Sequence, residues 1–375
     1  MEAGCTVAVA TVDHGLRPEA AEEAAAVGAA CAALGVPHDT LYWRWNGVGN
    51  LQDAARRGRT GALAAWAQAR GLRVVALGHT QDDIAETFLM RLARDAGVDG
   101  LAAMAARRDV GGITFLRPLL GVSRADLRGW LLRRGVAWTD DPSNDDPRFD
   151  RVRARRALAA MAEAGVDGAA IAALAGKMAD VRAALEAATA DAVARFVRID
   201  AGDVILDTQG LTALSAEIRR RLLLAAVIWV ASAEYGPRGA EMERFVAAAL
   251  DGRPATLAGC RTSHARGRMR ITREMRAVAG LTCPVGGVWD GRWRVSGPDS
   301  NDLPDGLVLR ALGEAGLSAC PDWRAAPHPR ATLLASPAVW SGMELVAAPL
   351  AGFGQGWVAQ CQPPKGPLAA APLSH

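Results

Sequence analysis

Lysine is almost missing from this chain. Lys177 and Lys365 are the only two, so arginine carries nearly all of the positive charge. Arginine's planar fork suits bidentate contact with phosphate, although genome composition favours the same bias. The net charge of +3 is too small to argue a polyanionic partner by itself. Cysteine is sparse as well: the six are Cys5, Cys31, Cys260, Cys283, Cys320 and Cys361. None forms a Cys-x-x-Cys pair, which excludes the usual zinc and redox motifs. They read most simply as free thiols in a reducing cytoplasm. The longest apolar run, Leu222 to Ala233, is short of a membrane span and follows three arginines. It reads as a buried helix. Met1-Glu2-Ala3-Gly4 lacks the basic opening of a secretory leader. A cytoplasmic protein with no membrane partner is expected.

What is present fits a multidomain globular protein. The 375 residues are half hydrophobic, enough for two or three domains with sizeable cores. Short β-branched runs at 6–12, 38–43, 72–77 and 113–119 alternate with helical patterns at 19–34, 51–70, 82–94 and 123–134. Strands alternating with helices imply a doubly wound parallel sheet. The loop Asp140 to Pro147 is a boundary by composition, so residues 1–146 read as a nucleotide-binding domain. Residues 147–277 then form a helical arm and middle domain, and 278–361 a small β-rich domain. The Pro/Ala-rich tail 362–375 reads as disordered.

The most informative stretch is Leu77-Gly78-His79-Thr80-Gln81-Asp82-Asp83-Ile84-Ala85-Glu86-Thr87. It reads strand, tight loop, helix, with two acids and a histidine at the carboxyl end of the strand. Ligands bind at that edge in open α/β sheets. Asp83 and Glu86 are three apart, so both leave one face of the helix. Paired carboxylates there suit Mg²⁺ or an ammonium group. A helix cap with a solvated acidic first turn is the plainer alternative, and spacing alone leaves both open. His14 and Arg17 follow an earlier strand, where phosphate contact is expected; a purely structural loop histidine is the alternative there and at His79. Basic clusters occur at Arg148 to Arg156, Arg219 to Arg221 and Arg261 to Arg276. Such clusters are either the footprint of a polyanion or solvated faces.

Three ordered blocks narrow the reading. The run Gly78 to Leu101 closely resembles a block in the tRNA(Ile)-lysidine synthetases, PP-loop ATP-pyrophosphatases that modify a tRNA anticodon. Val12-Asp13-His14-Gly15-Leu16-Arg17-Pro18 resembles a second block. Arg117-Pro118-Leu119-Leu120, Asp141-Pro142-Ser143-Asn144 and Phe149-Asp150-Arg151-Val152-Arg153-Ala154-Arg155 resemble a third. Several blocks in order over the first 155 residues or so are far more specific than one motif. Tyr235 to Glu274 is loosely similar to the middle region of the longer members.

The resemblance implies a function and assigns residues. The family ligates L-lysine to C2 of the wobble cytidine of a CAU anticodon. ATP first adenylates the C2 oxygen, and the lysine amine then displaces AMP. Asp83 and Glu86 are expected to hold the lysine. Arg59, in Arg56-Arg57-Gly58-Arg59, and Arg151 are expected to stabilise charge on phosphate. The tyrosine usual after the Arg-x-x-Arg pattern is Thr60 here, and the asparagine usual near Arg151 is Asp150 or absent. His14, Arg17 and His79 fall on the nucleotide side, Asp82 on Mg²⁺. Arg153, Arg155, Arg266, Arg268 and Arg270 are candidates for the tRNA backbone. The partners are then ATP, L-lysine and tRNA(Ile); a homodimer stays open. The family's Ser-Gly-Gly-x-Asp-Ser phosphate loop and first strand are not found, and no Ser-Gly-Gly occurs in the chain. That strand lies mid-sheet in the order 3-2-1-4-5. Its loss would leave two neighbouring strands unpartnered, so an N-terminally incomplete chain is expected. An inactive tRNA-binding remnant is the alternative. A cytidine thiolase would want Cys-x-x-Cys ligands, and a regulatory nucleotide-binding domain should not bind lysine.

Overall fold

The computed structural model describes residues 6–15, 19–48, 51–136, 138, 150–237, 239–298, 306–354, 356–364 and 366–368. Arg17 and the Asp141-Pro142-Ser143-Asn144 block lie outside them. The chain forms two compact units, Met1–Ala179 and Asp180–His375.

The first unit is the α/β part. Its elements are β1 (Val9–Asp13), α1 (Glu19–Ala33), β2 (His38–Tyr42), α2 (Leu51–Ala69), β3 (Val74–Ala76), α3 (Gln81–Leu92), α4 (Val98–Leu101), β4 (Arg107–Val110), β5 (Ile113–Leu116), α5 (Arg124–Arg133) and α6 (Asp150–Glu163). Next comes α7 (Gly168–Phe196), a 29-residue Ala-rich helix in which the division between the units falls. β1 pairs with β2 in parallel, and β3 with β5 in parallel. The alternation of β-branched strands with helices thus produces the expected parallel pairing. It is divided between two sheets, β1-β2 and β3-β5-β4. Among the described residues β1 and β3 each pair with one strand only. The two sheets nevertheless share a core. Leu63, Ala64 and Ala67 of α2 pack with Val75, Ile113 and Phe115, and Val12 and Leu41 pack against the same cluster.

β4 was not foreseen. Arg107-Arg108-Asp109-Val110 has too few apolar residues to read as a strand. It pairs antiparallel with β5 across the two-residue turn Gly111-Gly112, where both φ are positive (57° and 79°). A tight hairpin turn of this hand needs that conformation twice, which glycine adopts without strain. The charges suit a sheet edge.

The second unit starts with the end of α7 and β6 (Val197–Asp200), β7 (Asp203–Asp207), α8 (Thr208–Ala213), α9 (Ala216–Ala231), α10 (Gly239–Leu250), β8 (Thr256–Leu257), β9 (Cys260–Ala265) and β10 (Arg268–Arg273). These strands form one antiparallel sheet, ordered β6-β7-β10-β9-β8. Leu222 to Val230 of α9 lie in its core, so the longest apolar run is indeed a buried helix. The remainder comprises α11 (Met275–Val278), β11 (Cys283–Pro284), β12 (Trp293–Ser296), β13 (Val308–Ala311), α12 (Gly313–Ser318), α13 (Arg330–Leu334), β14 (Pro337–Ser341), β15 (Glu344–Ala347) and β16 (Val358–Cys361). Its buried tryptophans Trp289, Trp293, Trp340 and Trp357 anchor two further clusters. The described part of the tail is packed: Leu368 joins the core around α9, and Trp229 Nε1 donates to the Gly366 carbonyl at 3.1 Å. Among the described residues no single helix is long and apolar enough to cross a membrane.

Candidate active site at the carboxyl edge of the parallel strands

The site is built on α3. Thr80 precedes the helix in extended conformation, and Asp83 Oδ2 accepts from the Thr80 backbone N–H at 2.8 Å and from its hydroxyl at 3.0 Å. That is a capping box, with aspartate in the place of the usual glutamate. One oxygen of Asp83 therefore does the plain structural job that spacing left open. The other, Oδ1, lies 3.6 Å from Arg124 Nη2. Asp82 Oδ2 accepts from the Arg124 backbone N–H at 2.6 Å, which fastens the start of α5 to the start of α3.

Glu86, one turn further along, has no solvent-exposed surface. Its Oε1 accepts from Arg155 Nε at 2.6 Å and from both Arg124 guanidinium nitrogens at 3.3 Å. Arg151 Nε lies 3.8 Å from Oε2, which accepts no hydrogen bond among the described residues. A carboxylate removed from water needs such compensation, and three guanidinium groups supply it. They come from α5 and α6, so Glu86 joins three helices. The resemblance assigned Arg151 to charge on phosphate and Arg155 to tRNA. The structure turns Arg155 inward to Glu86. It also adds Arg124, which sequence reasoning missed; its one signal was its place directly after the capping Ser123, following a strand.

Beside this carboxylate lies an excess of positive charge. Gly58 of α2 faces the Trp43 indole so closely that a Cβ would overlap the ring. His14 meets the same ring edge-on, with centroids 5.6 Å apart. This packing brings Arg59, next to Gly58, into the field of His14 and His79. Burial, then Arg59, lowers the pKa of His14, against a smaller pull from Asp13. Burial, then Arg117, lowers that of His79, with Asp83 opposing. Both imidazoles are thereby kept neutral near pH 7. Each has a buried Nδ1 without a hydrogen-bond partner among the described residues. Arg59 is itself held below its ordinary pKa by partial removal from water, then by Arg151 and Arg56. For Arg117 the causes are burial, then Arg56 and Arg108. Among the described residues no carboxylate forms an ion pair with Arg59 or Arg117. Arginines that pair with no carboxylate among the described residues, gathered at the carboxyl ends of parallel strands, suit a polyphosphate.

No cluster of three or more His, Cys, Asp or Glu side chains fit for a metal occurs among the described residues. Asp82 has one carboxylate oxygen left after its bond to Arg124. Mg²⁺ is commonly held by one or two carboxylates together with substrate phosphates, so a lone Asp82 is compatible with it.

Sequence comparison decides the family. Residues 1–162 match the PP-loop domain family. The tRNA(Ile)-lysidine synthase of Ruegeria pomeroyi is 50% identical over 368 residues, which cover 98% of this chain and 87% of the relative. The chain belongs to the tRNA(Ile)-lysidine synthase family. The Rhodopseudomonas palustris synthase is 43% identical over 227 residues, covering 60% of this chain and 66% of that one. A Bradyrhizobium synthase is 39% identical over 290 residues, covering 70% and 80%. Members of the lysidine synthase family are ATP-using ligases that form a C–N bond on tRNA.

The remaining tRNA candidates are less uniform than their spacing suggested. Arg153 pairs with Asp150, which also holds Arg94 at 2.6 Å. Arg270 is tied to Asp200 at 2.7 Å and Asp203 at 2.8 Å, so it serves the sheet before any ligand. Arg266 and Arg268 are exposed at the β9–β10 turn, beside a cleft of about 570 Å³ also lined by Thr208 and His264. Among the described residues no carboxylate pairs with either. The cluster at 219–221 is structural: Arg221 is fully buried on Glu217, Arg220 bonds the same carboxylate, and Arg219 donates to the carbonyls of Leu211, Thr212 and Leu214.

Proposed function

We propose that this chain ligates L-lysine to C2 of the wobble cytidine of tRNA(Ile) with a CAU anticodon, releasing AMP and pyrophosphate. The observation that carries the reading is the pairing of opposite charges at one sheet edge. Two carboxylates leave one face of α3, beside Arg59 and Arg117, which pair with no carboxylate among the described residues. Such a site suits a reaction between a triphosphate and an ammonium substrate.

In the first step the C2 oxygen attacks the α-phosphorus of ATP, and pyrophosphate leaves. Negative charge grows on the phosphate oxygens, where Arg59, Arg151 and Arg117 stabilise it electrostatically. His14 and His79, neutral at physiological pH, contribute hydrogen bonds to the nucleotide, as does Arg17. Mg²⁺ at Asp82 would draw charge from the leaving pyrophosphate. In the second step the lysine ε-amine attacks C2 after losing a proton, and AMP leaves with its bond to the C2 oxygen. Asp83 Oδ1 is the better placed acceptor for the ammonium, because Oδ2 is already taken by Thr80. Glu86 is partly neutralised by its three arginines. Its larger role is to aim Arg124, Arg151 and Arg155 while adding negative charge beside the amine.

The test separates the two steps. Asp83→Asn should release pyrophosphate from ATP in the presence of tRNA at close to the parent rate, yet transfer little lysine unless lysine is raised at least tenfold. Arg59→Ala should lose pyrophosphate release itself, by roughly 10²-fold or more, as when a group stabilising transition-state charge is removed. Equal loss of both steps in Asp83→Asn would contradict the assignment of that carboxylate to lysine.

A further inference from the structure

α5 is unusual for a helix at the edge of an active site. None of its side chains is buried. Trp130 is 47% exposed, Leu132 68% and the following Trp138 38%. Lone exposed apolar residues are ordinary, but two indoles and a leucine within nine residues form a patch. Residues 123–138 hold four arginines, Arg124, Arg128, Arg133 and Arg134, against the single acid Asp126. The arginines and indoles are interleaved in space as well. The Arg134 guanidinium lies 4.6 Å from the centre of the Trp130 ring, and that of Arg128 lies 5.6 Å from the Trp138 ring. The helix also starts inside the site, where Arg124 holds Glu86 and its backbone N–H is bonded to Asp82. Arg128 lies one turn from Arg124 on the same side, and the ten-residue helix runs about 15 Å from there.

We infer that α5 and Trp138 form a stacking surface for the unpaired nucleotides that flank the modified cytidine. This rests on the function proposed above. The chemistry favours RNA over a protein partner. Bases splayed from a loop stack on indole faces and guanidinium planes, while the arginines meet the phosphates between them. A protein-docking patch would be expected to exclude so much charge from its centre. An arginine against each indole also limits the ring's motion.

The test uses the full chain, with Trp130→Ala and Trp138→Ala combined, and the matching Phe variants. Two readouts are taken: anisotropy of a labelled anticodon stem-loop RNA, and steady-state kinetics with tRNA, ATP and lysine each varied. Loss of one stacked base weakens binding by about 5–150-fold, so the double Ala variant should weaken RNA binding and raise the KM for tRNA by roughly 30-fold or more. The KM values for ATP and lysine should stay within about twofold of the parent. The Phe variants, which keep a ring, should recover most of the binding. If the parent chain binds the stem-loop through these rings but ligates no lysine, the surface stands and the proposed function fails. Unchanged RNA binding in the double Ala variant would overturn the surface. So would a change of oligomeric state on substitution, which would assign the patch to a second copy of the chain.

Discussion

Glu86 and the two histidines show how single residues set this site. Glu86 has no contact with water, and three guanidinium groups lie within 4 Å of it. Glu86→Ala would leave those arginines facing one another. Breaking a buried pair costs about 3–5 kcal/mol; with Arg124 and Arg155 about a third exposed, a loss on the order of 2–3 kcal/mol is expected in urea unfolding. An unchanged midpoint would mean that Glu86 does not organise α3, α5 and α6. His14 and His79 supply a pH dependence. Their pKa values are lowered in the folded chain, so the unfolded chain takes up protons that the folded one refuses. The stability from their neutral forms is full above the ordinary histidine range near 6.5 and is lost as pH falls through the lowered values. Thermal melts from pH 7.5 to 5 should show it, with a smaller slope in His79→Gln. A slope unaltered by that substitution would place the titration elsewhere. The residue types here were legible because motif and spacing name them. Their partners were not: that Arg155 turns to Glu86 depends on how α6 packs on α3, which no local pattern records.

At the scale of elements, strands and helices were read well where apolar periodicity was strong, as in α2, α3 and α9. β4 escaped because an edge strand needs no apolar face. The β9–β10 hairpin shows a different limit. Its two-residue turn is Arg266-Gly267, and both residues have positive φ (50° and 70°). Arginine at the first position is strained, by about 1 kcal/mol. Arg266→Gly should therefore stabilise the chain by roughly 0.5–1 kcal/mol in unfolding experiments, since glycine takes that conformation freely. If Arg266 contacts the tRNA backbone, the same variant should bind tRNA less tightly, with the slope of log K against log salt shallower by about 1. Higher stability with an unchanged slope would remove Arg266 from the interface.

At the scale of the whole molecule, each unit is organised around a different kind of centre. The first has its charges at the sheet edge. The second has a buried carboxylate, Asp203, which accepts from Arg270 at 2.8 Å, Thr272 at 3.0 Å and Thr332 at 2.6 Å. Thr332 lies on α13 and the other two on β10, so Asp203 joins the antiparallel sheet to the C-terminal elements. Asp203→Ala should cost about 3–5 kcal/mol, because it leaves a half-buried guanidinium and two buried hydroxyls without their acceptor. A loss below about 1 kcal/mol, the level of an exposed pair, would contradict that role. None of this was legible in the sequence, where Arg270 looked like one more member of a basic patch: an arginine's partner 67 residues away is set by strand pairing. The fold class and family were legible in full, since ordered motifs report on the whole first unit at once. The most direct test of the account is incorporation of labelled lysine into a CAU-anticodon tRNA(Ile) transcript, with ATP and Mg²⁺, beside a transcript whose wobble cytidine is replaced. Label in the first transcript alone, with one AMP and one pyrophosphate released per lysine, is the expected result. A folded chain that binds the tRNA but transfers no lysine would contradict it and make the chain a tRNA-binding protein without ligase activity.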